Sequence, residues 1–422
     1  MSGFVEMHVD EMKEFVPSTP RQLREVQFEA TEAAMKANRI CEVTREQFYF
    51  ALIKEIVEKH YDVGTVESVY QIFGGYINMT FGIYTMKDGE RTTWLFRKYK
   101  RGKELDALLF EHRLLTHART HGFSFGASPI QTRDNKTYHE EMLLTEDGQE
   151  PFFFAIFNYI DGARRYDWIP NWAEDGLQES TLTSAARCMA EFHSSTIDFD
   201  PEGLHGDNIM DNEDSPANDL IAKYPETLKK YRAVYEQAGL ENPYIEFFDA
   251  IWEEYRAVCE ANTIPPEDYE RMVVCPCHCD FHPGNFKYYD DGTISGSFDY
   301  DMAKFDSRLF EIGLAMHYCF ASWKLASDGV MDLDRVRRFI TCYNEEVANI
   351  GTVPPLNETE KKYLYEVIVQ GTVYVYGWCT SAVMYDTSLD PFEYLYYSQH
   401  FARCLTWLQQ NEQAIRAIAN DL

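Results

Sequence analysis

Apolar and polar residues alternate in three runs near the start of the chain, Val66 to Phe73, Met79 to Met86 and Arg91 to Tyr99, and Asp88-Gly89 sits between the last two. That pattern predicts a small antiparallel sheet with a tight turn at Asp88-Gly89. Before it, residues 20 to 60 read as two helices. After it, Leu105, Leu108, Leu109 and Leu115 recur at helical spacing, which predicts a helix from Leu105 to Ala118 ended by Gly122. Further strands are expected around Ser128 to Thr132, Thr137 to Leu144 and Phe152 to Ile160, with a lobe boundary at Asp161-Gly162. Beyond it the pattern turns helical: Ala185 to His193, Pro225 to Ala238, Pro243 to Asn262, Asp334 to Asn349, Glu358 to Trp378 and Pro391 to Ile415, with Asp207 to Asn218 as a loop. The chain therefore divides into an N-terminal helical extension (1–60), a sheet-rich lobe (61–160) and a larger, mostly helical lobe (161–422) carrying a helical insertion (194–270).

One stretch breaks the helical pattern. His278-Cys279-Asp280-Phe281-His282-Pro283-Gly284-Asn285 is followed by Phe286, Tyr288 and Tyr289, an Asp290-Asp291-Gly292 turn, then Ile294 and Phe298-Asp299. This is a β-hairpin signature. Asn285 and Asp299 are equally far from Gly292, so the hairpin returns them to the same end within about a residue. Two hard oxygen donors there suit magnesium, which takes a few carboxylate or amide oxygens and leaves room for water and phosphate. Asp280, five residues before Asn285, is spaced to receive a hydroxyl proton in phosphoryl transfer.

The first hairpin adds a cation. Its turn sets Arg97 near Thr80, at the end where Gly74-Gly75-Tyr76-Ile77-Asn78 bends. Gly74 and Gly75 suit either a phosphate-cradling loop or an ordinary hairpin turn. A strand cation held by a helix acid is what fixes nucleotide phosphates in a kinase, and Glu111 is placed to be that acid, with Glu104 as the alternative.

Composition narrows the partners. A 422-residue chain that is 45% hydrophobic can bury a full core, and its net charge of −30 disfavours nucleic acid and anionic membranes. The same charge suits either general solubility or a cationic substrate. Phe152 to Phe157, the longest strongly apolar run, is far too short to span a bilayer, and Met1 to Glu14 is acidic where a signal peptide would be basic then apolar. The expectation is a cytoplasmic protein whose ten cysteines are reduced thiols. Aromatics make up 15% of the chain, and those from Tyr374 to Tyr397 read as core, although an ammonium cage would use the same types. Zinc at Cys275, Cys277 and Cys279 is disfavoured, because alternate strand residues stand ~6.5 Å apart with parallel side chains. His278 reads as an orienting histidine and His282 as a substrate-positioning or loop-supporting one.

Taken together, these motifs resemble the aminoglycoside phosphotransferase, choline kinase and homoserine kinase-like family of small-molecule kinases. The similarity runs over most of residues 66 to 320. Gly74 to Thr80 resembles the nucleotide loop, Leu95-Phe96-Arg97 the third strand and Phe110 to Leu115 the paired helix. Asn158-Tyr159-Ile160-Asp161-Gly162 resembles the hinge, and Ala186 to His193 the Ala-x-x-x-Ala-x-x-His helix. The resemblance implies an α+β, two-lobed protein-kinase-like fold and the phosphorylation of a hydroxyl on a small molecule. Its cofactors would be ATP, with GTP left open, and Mg²⁺. It makes Asp280 the base, Asn285 and Asp299 the metal ligands and Arg97 the phosphate cation. Gly74, Gly75, Asn78, Glu111, Asn158 and Ile160 complete the nucleotide site.

Two positions depart from the family pattern. Arg97 stands where many relatives have lysine, with Lys98 beside it, and Asp306 and Glu311 share the claim to be the structural acid. The acceptor is expected to be an amine-bearing alcohol ahead of a neutral sugar. Rival readings are a protein kinase, a pseudokinase module and a magnesium-dependent phosphate-ester hydrolase. The first lacks an Ala-Pro-Glu anchor, the second would have lost an acid, and the third would not need Arg97 with Glu111.

Overall fold

The computed structural model describes residues 45–73, 78–145, 148–166, 177–206, 215–237, 243–385 and 389–422. Two compact units divide the chain, one of residues 1–105 and 127–159, the other of residues 106–126 and 160–422.

In the first unit, helix α1 (Arg45–His60) precedes strands β1 (Thr65–Ile72), β2 (Met79–Lys87), β3 (Glu90–Lys98), β4 (His139–Thr145) and β5 (Gly148–Asn158). They form one antiparallel sheet in the order β1-β2-β3-β5-β4. Asp88 and Gly89 both adopt positive φ, the geometry a two-residue hairpin turn needs, and the register they set pairs Thr80 with Arg97. One sheet face is closed by α1, where Tyr49, Ile53 and Val57 pack on Phe81, Phe96, Phe154 and Ile156. The remaining residues of the two helices expected over 20–60 lie outside the described residues. The strand expected at Ser128 to Thr132 is reduced to single bridges, Pro129 with Phe157 and Thr132 with Tyr61. Ile130 N bonds Ile156 O, and no longer ladder follows.

The second unit begins with α2 (Leu105–Thr120) and continues through α3 (Glu179–Thr196), α4 (Ala217–Gln237), α5 (Pro243–Ala261) and the single turn α6 (Pro266–Tyr269). Strands β6 (Val274–Cys277), β7 (Phe286–Tyr288), β8 (Ile294–Ser297) and β9 (Lys304–Ser307) follow. The C-terminal helices are α7 (Arg308–Phe320), α8 (Leu333–Ile350), α9 (Glu358–Lys362), α10 (Leu364–Tyr385), α11 (Pro391–Gln410) and α12 (Glu412–Asn420). The nine described cysteines are all buried thiols.

Helix α4 departs from expectation. It starts at Ala217, eight residues before Pro225, and runs through the proline. Its start is anchored from outside. The Ala217 N–H donates to buried Asp306 (2.7 Å), and the Asn218 side chain exchanges hydrogen bonds with both backbone groups of Ile264. Those bonds offset the donor that proline lacks. Two expected helices each divide. The stretch from Glu358 splits at Tyr363 after an Asn357/Glu360 capping box, and the one from Pro391 splits at Asn411. Strand β9 pairs with β6 and leads directly into α7.

Helix α10 is long and apolar enough, by length and composition, to cross a membrane, and 89% of the qualifying window is buried inside this unit. It packs on α7 through two glycines. A Cβ on Gly313 would stand 2.3 Å from Val367 O, and one on Gly371 2.8 Å from Leu314 Cα. Both obstacles are backbone. Gly313→Ala should therefore force the helices apart and cost about 1–3 kcal/mol, the usual penalty of overpacking. Urea denaturation measures it, and an unchanged midpoint would show that the helix pair has slack.

Candidate active site

Strand β6 leads into the segment 278–285, whose entry is held by one buried carboxylate. Glu311 Oε1 accepts from the backbone N–H groups of His278 (2.6 Å) and Cys279 (3.0 Å), and Cys279 itself adopts φ of 60°. Its other oxygen meets His193 Nε2 at 2.5 Å, while His193 Nδ1 lies 2.9 Å from the Tyr343 hydroxyl. Burial alone would lower the His193 pKa. The adjoining Cys275 and the Glu311 carboxylate outweigh it, and the pKa is raised. Asp306, the other candidate structural acid, is equally buried but serves elsewhere: it accepts from Ala217 N, Tyr269 Oη and Ser307 N, with Lys304 Nζ at 3.5 Å. Both acids are structural, each for a different part of the unit.

Asp280 is half-buried and surrounded by donors. Asn285 Nδ2 donates to its backbone O and its Oδ2, each at 2.9 Å, and Tyr318 Oη lies 3.4 Å from Oδ1. His282 Nε2 is 3.4 Å from Oδ2. Gly284 N donates to His282 Nδ1, so a neutral His282 carries its proton on the nitrogen facing Asp280. Burial pushes the Asp280 carboxyl up, but the His282 and His278 rings and the Asn285 amide prevail and hold it below the ordinary carboxylate value. His278 accepts from Asp280 N through Nδ1 and reaches Phe298 O with Nε2 at 3.0 Å, tying the loop to the far arm of the hairpin.

That hairpin pairs Phe286 with Ser297, and Phe298 N donates to Asn285 O. Asn285 and Asp299 therefore stand at its open end one residue out of register. The Asn285 amide N–H groups face Asp280, which leaves the amide oxygen as the atom to meet a cation. Asp299 takes a left-handed conformation, φ 71°. An amide oxygen and a carboxylate are a donor set that suits Mg²⁺. Gly296 is needed for close approach, since a Cβ there would lie 2.4 Å from Ile160 Cγ2. Ser295 Oγ donates to Asp161 O, Ala163 bridges Tyr288, and Lys287 Nζ donates to Ile160 O, so residues 160–163 are laced to the hairpin.

The other predicted nucleotide residues are distributed over both units. Gly74 and Gly75 lie outside the described residues. Asn78, Arg97 and Asn158 belong to the first unit, Glu111 and Ile160 to the second. Asn78 Oδ1 accepts from Lys100 N, and Asn158 Oδ1 accepts from Ser128 N and Oγ, so both side chains brace the backbone. Arg97 and Lys98 are both buried but point to opposite sheet faces. Lys98 pairs with Met79 and Phe154 on the face that α1 covers, its Nζ 3.9 Å from the Phe152 ring centre. Arg97 pairs with Thr80 and Ala155 on the other face. Glu111 is buried within α2, whereas Glu104 precedes the helix and is exposed.

Tyr318 carried no motif to mark it. The available signal was helical phase, because it stands seven residues after Glu311 on the same side of α7. A second constellation, Asp328, His400 and Cys404, has the order of a thiol triad, with His400 Nε2 3.3 Å from Cys404 Sγ. Burial pushes that thiol far above its ordinary pKa, so it is inert.

The model of the phosphotransferase enzyme family matches residues 70–339. The chain belongs to this family. Homoserine kinase of Ralstonia pickettii (strain 12J) is 25% identical over 318 residues, spanning 73% of this chain and 78% of that one. The fold is shared with amicoumacin kinase hAmiN, solved with AMP-PNP, Ca²⁺ and its antibiotic (TM-score 0.55, 13% identity, covering 86% and 93% of the two chains). It is shared also with choline kinase from Cryptosporidium parvum Iowa II (TM-score 0.51, 13% identity, 84% and 92%). The protein is a small-molecule kinase of protein-kinase-like fold, a phosphotransferase with an alcohol group as acceptor.

In this kinase Glu311→Ala would strand the His278 and Cys279 amides and the His193 ring. The expected cost is about 3–5 kcal/mol, as for a broken buried pair. The pH dependence carries a sign. A histidine whose pKa is raised on folding contributes stability that is full below its unfolded value, 6.5, and is lost as pH rises through the raised one. Melting curves across pH should lose that falling limb in the variant.

Proposed function

We propose that the enzyme transfers the γ-phosphoryl group of ATP to the hydroxyl of a small amine-bearing alcohol, with Asp280 as the base. The observation that carries this reading is the meeting of Asp280, Asn285 and the residue before Asp299 at one end of the hairpin. Asp280 is held ionised by its neighbours, so it is ready to accept the hydroxyl proton as the oxygen attacks. The Asn285 amide keeps that carboxylate turned toward the acceptor, and Tyr318 and His282 limit its rotation. Mg²⁺ held by Asn285 and Asp299 would supply charge neutralisation on the phosphates. Arg97, on the sheet face opposite α1, is the phosphate cation, and Glu111 is assigned to the nucleotide site. Lys98 is unsuited because it faces the α1 core. Gly74 and Gly75 complete the phosphate loop. The adenine is gripped by the backbone at Asn158 to Ile160, where the Ile160 carbonyl is already engaged by Lys287.

The amine preference rests on charge and kinship. A chain of net charge −30 attracts cations, and the relative over most of its length is named for an amino-acid alcohol. Asp306 adds nothing to that attraction, since its carboxylate is spent on α4 and Tyr269. The place of action is proposed to be the cytoplasm.

Three measurements test the proposal. Asp280→Asn should lower turnover by about 10²–10⁴-fold while ATP binding persists, the weight of a positioned base; near-normal turnover would reject the assignment. ATP should raise the melting temperature only with Mg²⁺ present, and Asp299→Ala should abolish that shift. ADP release in a screen of amino alcohols, hydroxy amino acids, aminoglycosides and neutral sugars identifies the acceptor, and activity confined to neutral sugars would overturn the amine preference.

A further inference from the structure

Away from the catalytic hairpin, the second unit assembles two histidines and a carboxylate at its surface. His117 stands in the last turn of α2, His121 directly follows the helix end with its backbone N–H still donating to His117 O (3.0 Å), and Asp198 follows the end of α3. His117 Nε2 lies 3.0 Å from Asp198 Oδ1. The two imidazoles stack with centres 3.9 Å apart and planes within 16°. One donor atom from each of the three residues lies within 4.8 Å of the other two. We propose that His117, His121 and Asp198 bind a divalent transition-metal ion of the zinc class, at a site separate from the magnesium ligands.

Two features support a metal over a plain surface ion pair. An ion pair needs only His117 and Asp198, yet His121 is stacked against them and its tautomer is set. Its Nδ1 lies 2.8 Å from the His117 carbonyl, which can only accept, so Nδ1 carries the proton and Nε2 the lone pair. Finally, the carboxylate is pre-placed. Phe199, next in sequence to Asp198, is buried between the rings of Phe110 (5.8 Å) and Phe305 (6.1 Å) and touches His117 edge-on, which fixes the loop.

Two imidazole nitrogens and one carboxylate oxygen form a borderline donor set. It selects Zn²⁺, Co²⁺, Ni²⁺ or Cu²⁺ over Mg²⁺ and Ca²⁺ and leaves a position for water. Binding is balanced by proton release: the hydrogen now shared between His117 Nε2 and Asp198 must leave that nitrogen for the metal to take its place. The ion would clamp the C-terminal half of α2, the helix that carries Glu111, to the chain leaving α3. A rival cluster in the interior, His193 with Cys275 and Cys277, is spoken for, because both His193 nitrogens already serve Tyr343 and Glu311.

Co²⁺ is the probe. The full chain, stripped with chelator and held in excess Mg²⁺, is titrated with Co²⁺ and followed by visible absorption and by melting temperature. The expected result is saturable binding of one ion per chain, a rise in melting temperature, and affinity at least about tenfold weaker in His121→Ala and in Asp198→Asn, more than an outer-shell partner would cost. His121 is exposed, so its replacement spares the fold, which the metal-free melting temperature checks. Equal affinity in the wild type and both variants would overturn the proposal, as would no saturable binding. An intense thiolate-to-cobalt band in the near ultraviolet, lost in Cys275→Ala, would move the ion to the interior and overturn it as well.

Discussion

The catalytic segment depends on a carboxylate that does no chemistry. Glu311 is fully buried, and its two oxygens divide their work between the backbone at His278 and Cys279 and the ring of His193. Buried N–H groups left without an acceptor are costly, so this single side chain decides where the chain turns out of β6. Everything downstream follows that turn: Asp280 is aimed, His278 reaches across to Phe298, and the hairpin closes with Asn285 and Asp299 at its mouth. The acid is carried by α7, so the position of a helix sets the position of a loop.

The division of labour among acids explains why composition alone says little about chemistry here. Asp280 is half-buried and kept ionised by imidazole and amide neighbours. Asp306 has no exposure and is consumed in starting α4 and holding Tyr269. Glu360, equally buried, forms a two-point pair with Arg308 and caps its own short helix. Asp306 and Glu360, without solvent, are structural, and Asp280, left partly open, has the geometry for proton transfer.

Local patterns were legible where a turn defines register. Asp88-Gly89 was enough to place Arg97 opposite Thr80, and Gly292 enough to return Asn285 to the neighbourhood of Asp299, because strand geometry propagates from a turn without help from elsewhere. Helix α4 was misread for the opposite reason. A proline is a good local start signal, and only distant groups, Asp306, Ile264 and Gln370, reveal why the helix begins eight residues before it. The choice between Arg97 and Lys98 also needed the third dimension: alternation says they face apart, but only the packing of α1 says which face is closed. Tyr318 was invisible because a hydroxyl meeting Asp280 from two helical turns beyond Glu311 leaves no spacing in the sequence except that of an ordinary helix face.

Helix α7 meets α10 at Gly313 and Gly371, where main chain rests on main chain. Contacts between side chains yield by rotamer changes, whereas two backbones in direct contact act as a hard stop. The distance from α10 to Glu311, and from there to the segment bearing Asp280, is thus set by a rigid gauge. A rotamer change in the surrounding aromatic core leaves that main-chain contact as it is, so the support behind segment 278–285 does not depend on any one side chain's conformation.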